Sequence, residues 1–369
     1  MVNVVLAGGG TAGHTSPLIA TAEALALASP DVSVTCIGTA RGLETRVIPE
    51  AGLDLQLIPP VPMPRKPTLD LLRVPGRLRA AVREAASILR DADADVLVGF
   101  GGYVSMPAYL AARQLTLPVV IHEQNAGPGL ANRVASRFAA RVAVTFPATP
   151  LPRAEAIGLP VRRALSDLAH AGRASRQEAS RELFGLDSRR PTLLVSGGSQ
   201  GARSINEALL GARDELLAAG VQILHVWGPK NFPDDAAVVT HLASHARYVP
   251  VAYVDRMEQA YCAADLMLGR SGAGTVVETA IVGLPGVFVP LPHGNGEQAR
   301  NAAALVAAGG AVLVPDAELT AARLVTEVLG RVDSPDVLAH MATAGRALMS
   351  ADAAAELAAI VLSVVGSEA

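Results

Sequence analysis

The feature that most limits what this chain can fold into is a repeated unit: an apolar run, a glycine-rich turn, then a helical pattern. VNVVLA (2–7) leads into GGGTAGH (8–14), and the spacing predicts a helix opened by Pro17 and running to about Ala28. The run is apolar without alternation, as in a strand buried on both faces. Similar runs follow at 32–37, 53–58, 95–100, 118–123 and 141–146. The unit then restarts at PTLLVSGGSQGARSINEALL (191–210), and further runs lie at 221–227, 265–270, 285–291 and 310–315. Strands alternating with helices argue for a parallel, doubly wound sheet. The expected class is α/β, with two Rossmann-like parallel-sheet domains of similar size, joined near 158–163 and facing a cleft. Such a cleft is the default ligand site. The helical C-terminus carries no strand and is expected to pack back on the first domain.

Bulk properties exclude several classes. The chain has 369 residues, enough for two domains. A net charge of -3 and the absence of a basic tract give no nucleic-acid signature. The two cysteines, Cys36 and Cys262, sit in apolar surroundings and fit a reducing compartment better than a disulfide framework. The start reads as a strand rather than a signal peptide. No uncharged apolar run reaches the roughly 18 residues of a membrane span.

Gly8, Gly10 and Gly13 formally make G-x-G-x-x-G. A dinucleotide site also wants an acid at the end of the second strand, to hold the ribose. Here that strand ends Cys36-Ile37-Gly38-Thr39, and Glu44 comes several residues later. The NAD oxidoreductase reading is therefore weak. The glycines still let backbone amides approach a ligand, and each helix behind supplies free N–H groups and a positive dipole end. Four such loops occur: 8–14, 99–105, 196–202 and 269–278. Each follows an apolar run, where the carboxyl end of a parallel strand would lie. Tight turns without a ligand could account for one or two of them, but hardly for four.

The pieces GGGTAGH, GFGGYVSMPAYLAA, IHEQNAGPGLANR, GLPVR, SGGSQGARSIN, RSGAGTVVE, GLPGVFVPLPHG and EQARNA run in this order from Gly8 to about Asn301. In these pieces the chain resembles the MurG family of GT-B glycosyltransferases. The resemblance implies inverting transfer of GlcNAc from UDP-GlcNAc to the 4-hydroxyl of MurNAc in undecaprenyl-linked lipid I, giving lipid II for peptidoglycan. It implies an acceptor domain over 1–160, with a helix at about 347–369 packed back on it, and a UDP-GlcNAc domain over 161–346. A UDP-GlcNAc 2-epimerase and a non-catalytic nucleotide-sugar sensor are the rival readings.

On this resemblance Glu278 grips the ribose hydroxyls, and Ser199 contacts the diphosphate. The turn Ser271, Gly272, Ala273, Gly274 and Thr275, continuing through Val276 and Val277, forms a second anion-binding helix start. Arg162 reaches the donor from the linker, Val254 reads the uracil through its backbone, and Gln298 bonds the sugar hydroxyls. Thr11, Ala12, Gly13 and Asn125 belong to the loops around the reacting centre. His14 is the candidate base, because imidazole ordinarily titrates near neutral pH; Glu123 or water is the alternative. The chain departs from the family pattern in TAG for the commoner TGG, in Leu159 for asparagine and in Glu297, before Gln298, for glutamine.

No cofactor is expected. Arg162 and helix-start amides can stabilise the leaving diphosphate, leaving Mg2+ only the role of pairing with UDP. DADAD (91–95) contains D-x-D but precedes a strand at its amino end, so it reads as a solvated loop rather than a metal site. The segment at about 61–83 mixes prolines, Lys/Arg and apolar side chains. It reads either as an irregular surface loop leading into a helix or as a contact with an anionic membrane surface through Arg65, Lys66, Arg73 and Arg77, with Met63, Leu69, Leu71, Leu72 and Val74 dipping in; the second is the expectation here. That would place the protein peripherally on the cytoplasmic face of the cell membrane, within reach of other wall-synthesis proteins.

Overall fold

The computed structural model describes residues 1–61, 73–198, 200–293 and 295–366. The chain divides into two compact units, Met1–Arg163 with Asp352–Ala369, and Ala164–Ala351.

The first unit holds β1 (Val2–Ala7), β2 (Val32–Gly38), β3 (Asp54–Leu57), β4 (Val96–Gly99), β5 (Val119–Glu123), β6 (Arg141–Val144) and β7 (Ala154–Ala156). They form one sheet in the order β3-β2-β1-β4-β5-β6-β7, with every neighbouring pair parallel. Successive side chains point to opposite faces of a strand, and here both faces are apolar. Val5, Ala7, Leu97, Ile121 and Val142 join one core with helices Val74–Asp91, Gly102–Gln114 and Leu130–Ala135. Val4, Leu6, Val98, Val120 and Ala143 join another with helices Ala12–Ala28 and Ala353–Gly366. This two-sided burial is why the runs do not alternate.

The stretch Pro335–Gly366 is long and apolar enough to contain a window suited to crossing a membrane. It is interrupted between helices Pro335–Leu348 and Ala353–Gly366. In the latter helix, Leu357, Ala358 and Val361 are buried in one cluster with Leu18, Ala22 and Leu25. Core packing thus accounts for its apolar face.

The second unit holds β8 (Thr192–Ser196), β9 (Gln222–Val226), β10 (Val239–Thr240), β11 (Arg247–Val251), β12 (Leu266–Gly269), β13 (Gly286–Phe288) and β14 (Ala311–Leu313). Their order is β10-β11-β9-β8-β12-β13-β14. All pairs are parallel except β10 with β11. Leu193, Val195, Ile223, Leu268 and Val287 meet helices Arg203–Ala218 and Ala321–Val332 in its core.

The structure departs from the sequence reading in particulars. Three strands, β7, β10 and β11, were not anticipated. Pro250 disguises β11, yet it is tolerated because β10 pairs only with Arg247 and Tyr248, leaving the Pro250 side unpaired. The first helix begins at Ala12, with Thr11 at its N-cap, rather than at Pro17. Proline lacks only its own N–H, so it sits inside the helix at the cost of one bond to the Gly13 carbonyl. The DADAD acids lie at the amino ends of β1 and β4, where the Asp95 carboxylate accepts from the Asn3 amide at 2.8 Å. Cys36 and Cys262 are buried and free. Burial, with the nearby Asp54 charge adding to it, pushes the Cys36 thiol up to about 12, and burial also raises that of Cys262.

Candidate active site

In a doubly wound sheet the crevice opens where the chain leaves one strand for each of two directions, beyond the carboxyl ends. In the first unit β1 lies between β2 and β4, so that point falls between β1 and β4. The turn after β1 carries Thr11, Ala12, Gly13 and His14 into the first turn of helix Ala12–Ala28. The turn after β4 is Phe100-Gly101-Gly102, with both glycines at positive φ (80° and 76°). A Cβ on Gly102 would stand 3.3 Å from the Gly9 carbonyl and from His14 Cδ2. Glycine is therefore needed there for conformation and for closeness alike.

Glu44 decides what the first glycine turn is for. Its side chain is fully buried. Its Oε2 accepts from the Gly10 amide at 2.8 Å, and its Oε1 accepts from the Thr39 amide and hydroxyl at 3.1 and 2.9 Å. Gly9, Gly38 and Gly42 crowd it so closely that a Cβ on any of them would collide with it. The Gly10 amide, which a dinucleotide pyrophosphate would seek, already serves the protein's own carboxylate. That is the physical reason the G-x-G-x-x-G match is not a dinucleotide site.

His14 Nδ1 lies 2.8 Å from the Phe100 carbonyl oxygen and 3.1 Å from Gln124 Oε1. Gln124 Nε2 lies 3.0 Å from the His122 carbonyl oxygen and 3.3 Å from His122 Nδ1. His122 Nε2 lies 2.9 Å from the Gly158 carbonyl oxygen. Burial drives the His122 imidazole from 6.5 down to about 4, with the Gly158 hydrogen bond opposing the shift. Glu123, offered above as an alternative base, is only 2% exposed. Its carboxylate accepts from the amides of Asn125 and Gly129, both at 3.0 Å, and from Asn132 Nδ2 at 2.9 Å. Tyr109 donates to the other side of Asn132 at 2.6 Å. These bonds make Glu123 the brace of the 124–129 turn, which presents half-buried Asn125. Arg162 is exposed at the end of this unit.

The second unit repeats the geometry. Its switch point lies between β8 and β12. After β8 the turn 197–202 leads into helix Arg203–Ala218. Gly201, at φ 73°, packs on the Trp227 carbonyl, which a Cβ would meet at 2.2 Å. Ser199 lies outside the described residues. After β12, Gly272 caps helix Ala273–Ile281, whose first-turn amides face no intrahelical acceptor. Ser271 is fully buried and its hydroxyl has no partner among the described residues. Glu278 is half-buried, and Tyr261 donates to its Oε2 at 2.8 Å. Gln298 Oε1 accepts from the Leu291 amide at 2.9 Å, which leaves the NH2 group to donate elsewhere. Val254 is buried just beyond β11. Arg270 donates to the Val289 and Pro290 carbonyls, to Ser204 and to Asp316, tying together the ends of β12, β13 and the 203–218 helix.

Thus Thr11, Ala12, Gly13, His14, Glu123 and Asn125 gather at one switch point, and 271–278 open the helix at the other, with Val254 following β11 and Gln298 opening the helix after β13. Sequence reasoning missed Glu44, Gln124, Tyr261 and Arg270. Glu44 left a trace in the glycines at 38 and 42 that precede it, and Gln124 and Arg270 stood unassigned inside the IHEQNAGPGLANR and RSGAGTVVE pieces. Among the described residues, no group of three His, Cys, Asp or Glu side chains could hold a metal ion.

Each unit thus carries a switch-point crevice with glycine-rich helix starts on a Rossmann-like sheet, the two-domain arrangement of the GT-B fold. The glycosyltransferase family 28 N-terminal domain matches residues 4–144, and the family's C-terminal domain matches 192–357. A Cutibacterium acnes protein named UDP-N-acetylglucosamine–N-acetylmuramyl-(pentapeptide) pyrophosphoryl-undecaprenol N-acetylglucosamine transferase is 60% identical, covering 100% of this chain and 98% of its own length. A Nocardioides protein of the same name is 55% identical with both chains fully covered. The crystal structure of Acinetobacter baumannii MurG superposes with a TM-score of 0.77 at 28% identity, over 98% of this chain and 100% of that one. The chain belongs to the MurG family. A putative UDP-N-acetylglucosamine 2-epimerase from Listeria monocytogenes, at 13% identity and a TM-score of 0.65, shares the fold alone.

Glu44→Gln replaces an acceptor oxygen with an NH2 that faces donors. Urea unfolding of the first unit should show a loss of about 1–3 kcal/mol; an unchanged midpoint would remove the latch. His122 gives a second test. A folded pKa below the unfolded one stabilises at pH above 6.5, and that stability drains away as pH falls toward about 4. The full loss is about 3 kcal/mol. His122→Phe should flatten the pH dependence of first-unit unfolding across that window.

Proposed function

We propose that this chain transfers GlcNAc from UDP-GlcNAc to the MurNAc 4-hydroxyl of undecaprenyl-linked lipid I, with inversion, to form lipid II. The observation that carries the reading is the full-length match to relatives named for this transfer, at 60% and 55% identity. The epimerase reading has only a shared fold behind it.

Inversion takes one in-line displacement. The acceptor oxygen bonds to the anomeric carbon, the bond from that carbon to the diphosphate oxygen breaks, and the hydroxyl proton passes to a base. His14 takes that proton in this scheme, since Glu123 is committed to the turn. UDP leaves with the electron pair. The amides opening helices Arg203–Ala218 and Ala273–Ile281, the Arg162 guanidinium and Ser199 would balance its charge. Mg2+ would act only by pairing with UDP. Glu278, oriented by Tyr261, accepts from the ribose diol, and the Gln298 NH2 donates to the sugar. The second unit's first-turn residues Ser271 to Thr275 supply the anion contacts, with Val276 and Val277 packing the helix behind them.

The protein would work at the anionic membrane surface where its lipid acceptor resides. Arg73, at the N-cap, and Arg79 and Arg83, on helix Val74–Asp91, are exposed, and the helix buries Val82, Ala85 and Leu89. Positions 62–72, with Arg65, Lys66, Met63, Leu69, Leu71 and Leu72, lie outside the described residues.

Radiolabelled GlcNAc should pass from UDP-GlcNAc into a short-chain lipid I analogue. His14→Ala should lower kcat about 10²–10⁴-fold. Glu278→Ala should raise KM for UDP-GlcNAc about 10–100-fold, the range for a hydrogen bond to a charged group. UDP-GlcNAc binding without label in lipid would refute the acceptor assignment. Replacing Arg65, Lys66, Arg73 and Arg77 by Ser should weaken binding to anionic vesicles, and unchanged binding would dismiss the membrane surface.

A further inference from the structure

We propose that Gln124 is a positioning residue for the transfer, its side-chain amide helping to hold His14 with the proton on Nδ1 and the lone pair on Nε2. This rests on the reading of His14 as the base.

Carbonyl oxygens only accept hydrogen bonds, and three of them fix every proton in the row. The Phe100 oxygen, 2.8 Å from His14 Nδ1, requires a proton on that nitrogen. The His122 oxygen, 3.0 Å from Gln124 Nε2, requires the NH2 group on that side of the amide. Gln124 Oε1 therefore faces His14 Nδ1 at 3.1 Å as a second acceptor. The Gly158 oxygen, 2.9 Å from His122 Nε2, places the His122 proton there. His122 Nδ1 is left to accept from Gln124 Nε2 at 3.3 Å. Turning the Gln124 amide over would set NH2 against the His14 Nδ1–H, and oxygen against a carbonyl and a lone pair. Gln124 and His122 are 2% and 0% exposed, so water could not repair such mismatches.

The consequence falls on Nε2. It is the ring nitrogen without a proton, and it flanks Gly102, where a Cβ would stand 3.4 Å away. The missing side chain keeps that nitrogen uncovered. When Nε2 takes the acceptor proton, the ring becomes a cation. Its Nδ1–H already points at two oxygen dipoles, those of Phe100 and Gln124, which favour the charged ring without reorganising. Neutral His122 keeps the row in this sense at working pH, because its own Nδ1 stays an acceptor.

The test joins a spectrum to kinetics. Long-range proton–nitrogen correlation on the full chain labelled with 15N-histidine, assigned with His14→Gln, should show His14 protonated on Nδ1 alone in mildly alkaline buffer. Gln124→Met keeps the side chain's length and removes its hydrogen bonds. It should lower kcat about tenfold with KM for UDP-GlcNAc unchanged. Gln124→Glu retains an oxygen toward Nδ1 and should keep more turnover than Gln124→Met. A proton on Nε2 in the wild type, or wild-type kcat in Gln124→Met, overturns the proposal. So does an equal loss in both variants accompanied by a raised KM. Failure of the base reading looks different: His14→Ala would itself keep wild-type kcat.

Discussion

The pairing of β1 with β2 on one side and β4 on the other is the constraint from which the first crevice follows. Parallel strands release all their carboxyl ends on one edge of the sheet, and the chain diverges at that single point. Ala7 registers with Ile37 and with Gly99, so both turns start level with each other. The Phe100 amide then donates to the Ala7 carbonyl at 2.9 Å, stitching the two turns together. Only because they start level can His14, from the first turn, reach the Phe100 carbonyl of the second. The same register logic in the other unit sets Ser196 beside Gly269, and there too the turns after the two strands open side by side.

Holding such turns in place takes groups outside them. A glycine turn has no side chains with which to fix itself, and its conformational freedom is a cost until something restrains it. In the first unit Glu44 restrains it from a neighbouring helix, and Glu123 restrains the third loop. Each carboxylate is buried and accepts three hydrogen bonds, which offset its desolvation. In the second unit Arg270 does similar work with the opposite charge.

How much of this was legible in the sequence follows from the range of each interaction. Apolar runs and glycine turns are local signals, so most strands of both sheets and all four loops could be read directly. Strand β11 was hidden because Pro250 argues against a strand unless its neighbour is known to stop short. The helix at Ala12 was placed late because Pro17 carries a stronger local signal than the cap before it. The site divides in the same way. His14 and Glu278 stand inside recognisable motifs. Gln124 and Tyr261 do their work through partners 110 and 17 positions away, and no spacing in the sequence announces such a meeting. The orientation of an imidazole is set by which carbonyl it meets, and that is purely a property of the folded chain.

The burial of both cysteines has a use for the spectroscopist. Cys36 is buried within β2 with its thiol pushed up to about 12, and Cys262 is buried on helix Met257–Ala263. Neither offers a thiolate to an alkylating reagent under native conditions. A single cysteine introduced on an exposed position of either unit would therefore be the one site to take a fluorophore or spin label. The wild-type background needs no prior removal of its own thiols, and a pair of such labels could follow the two units through a turnover.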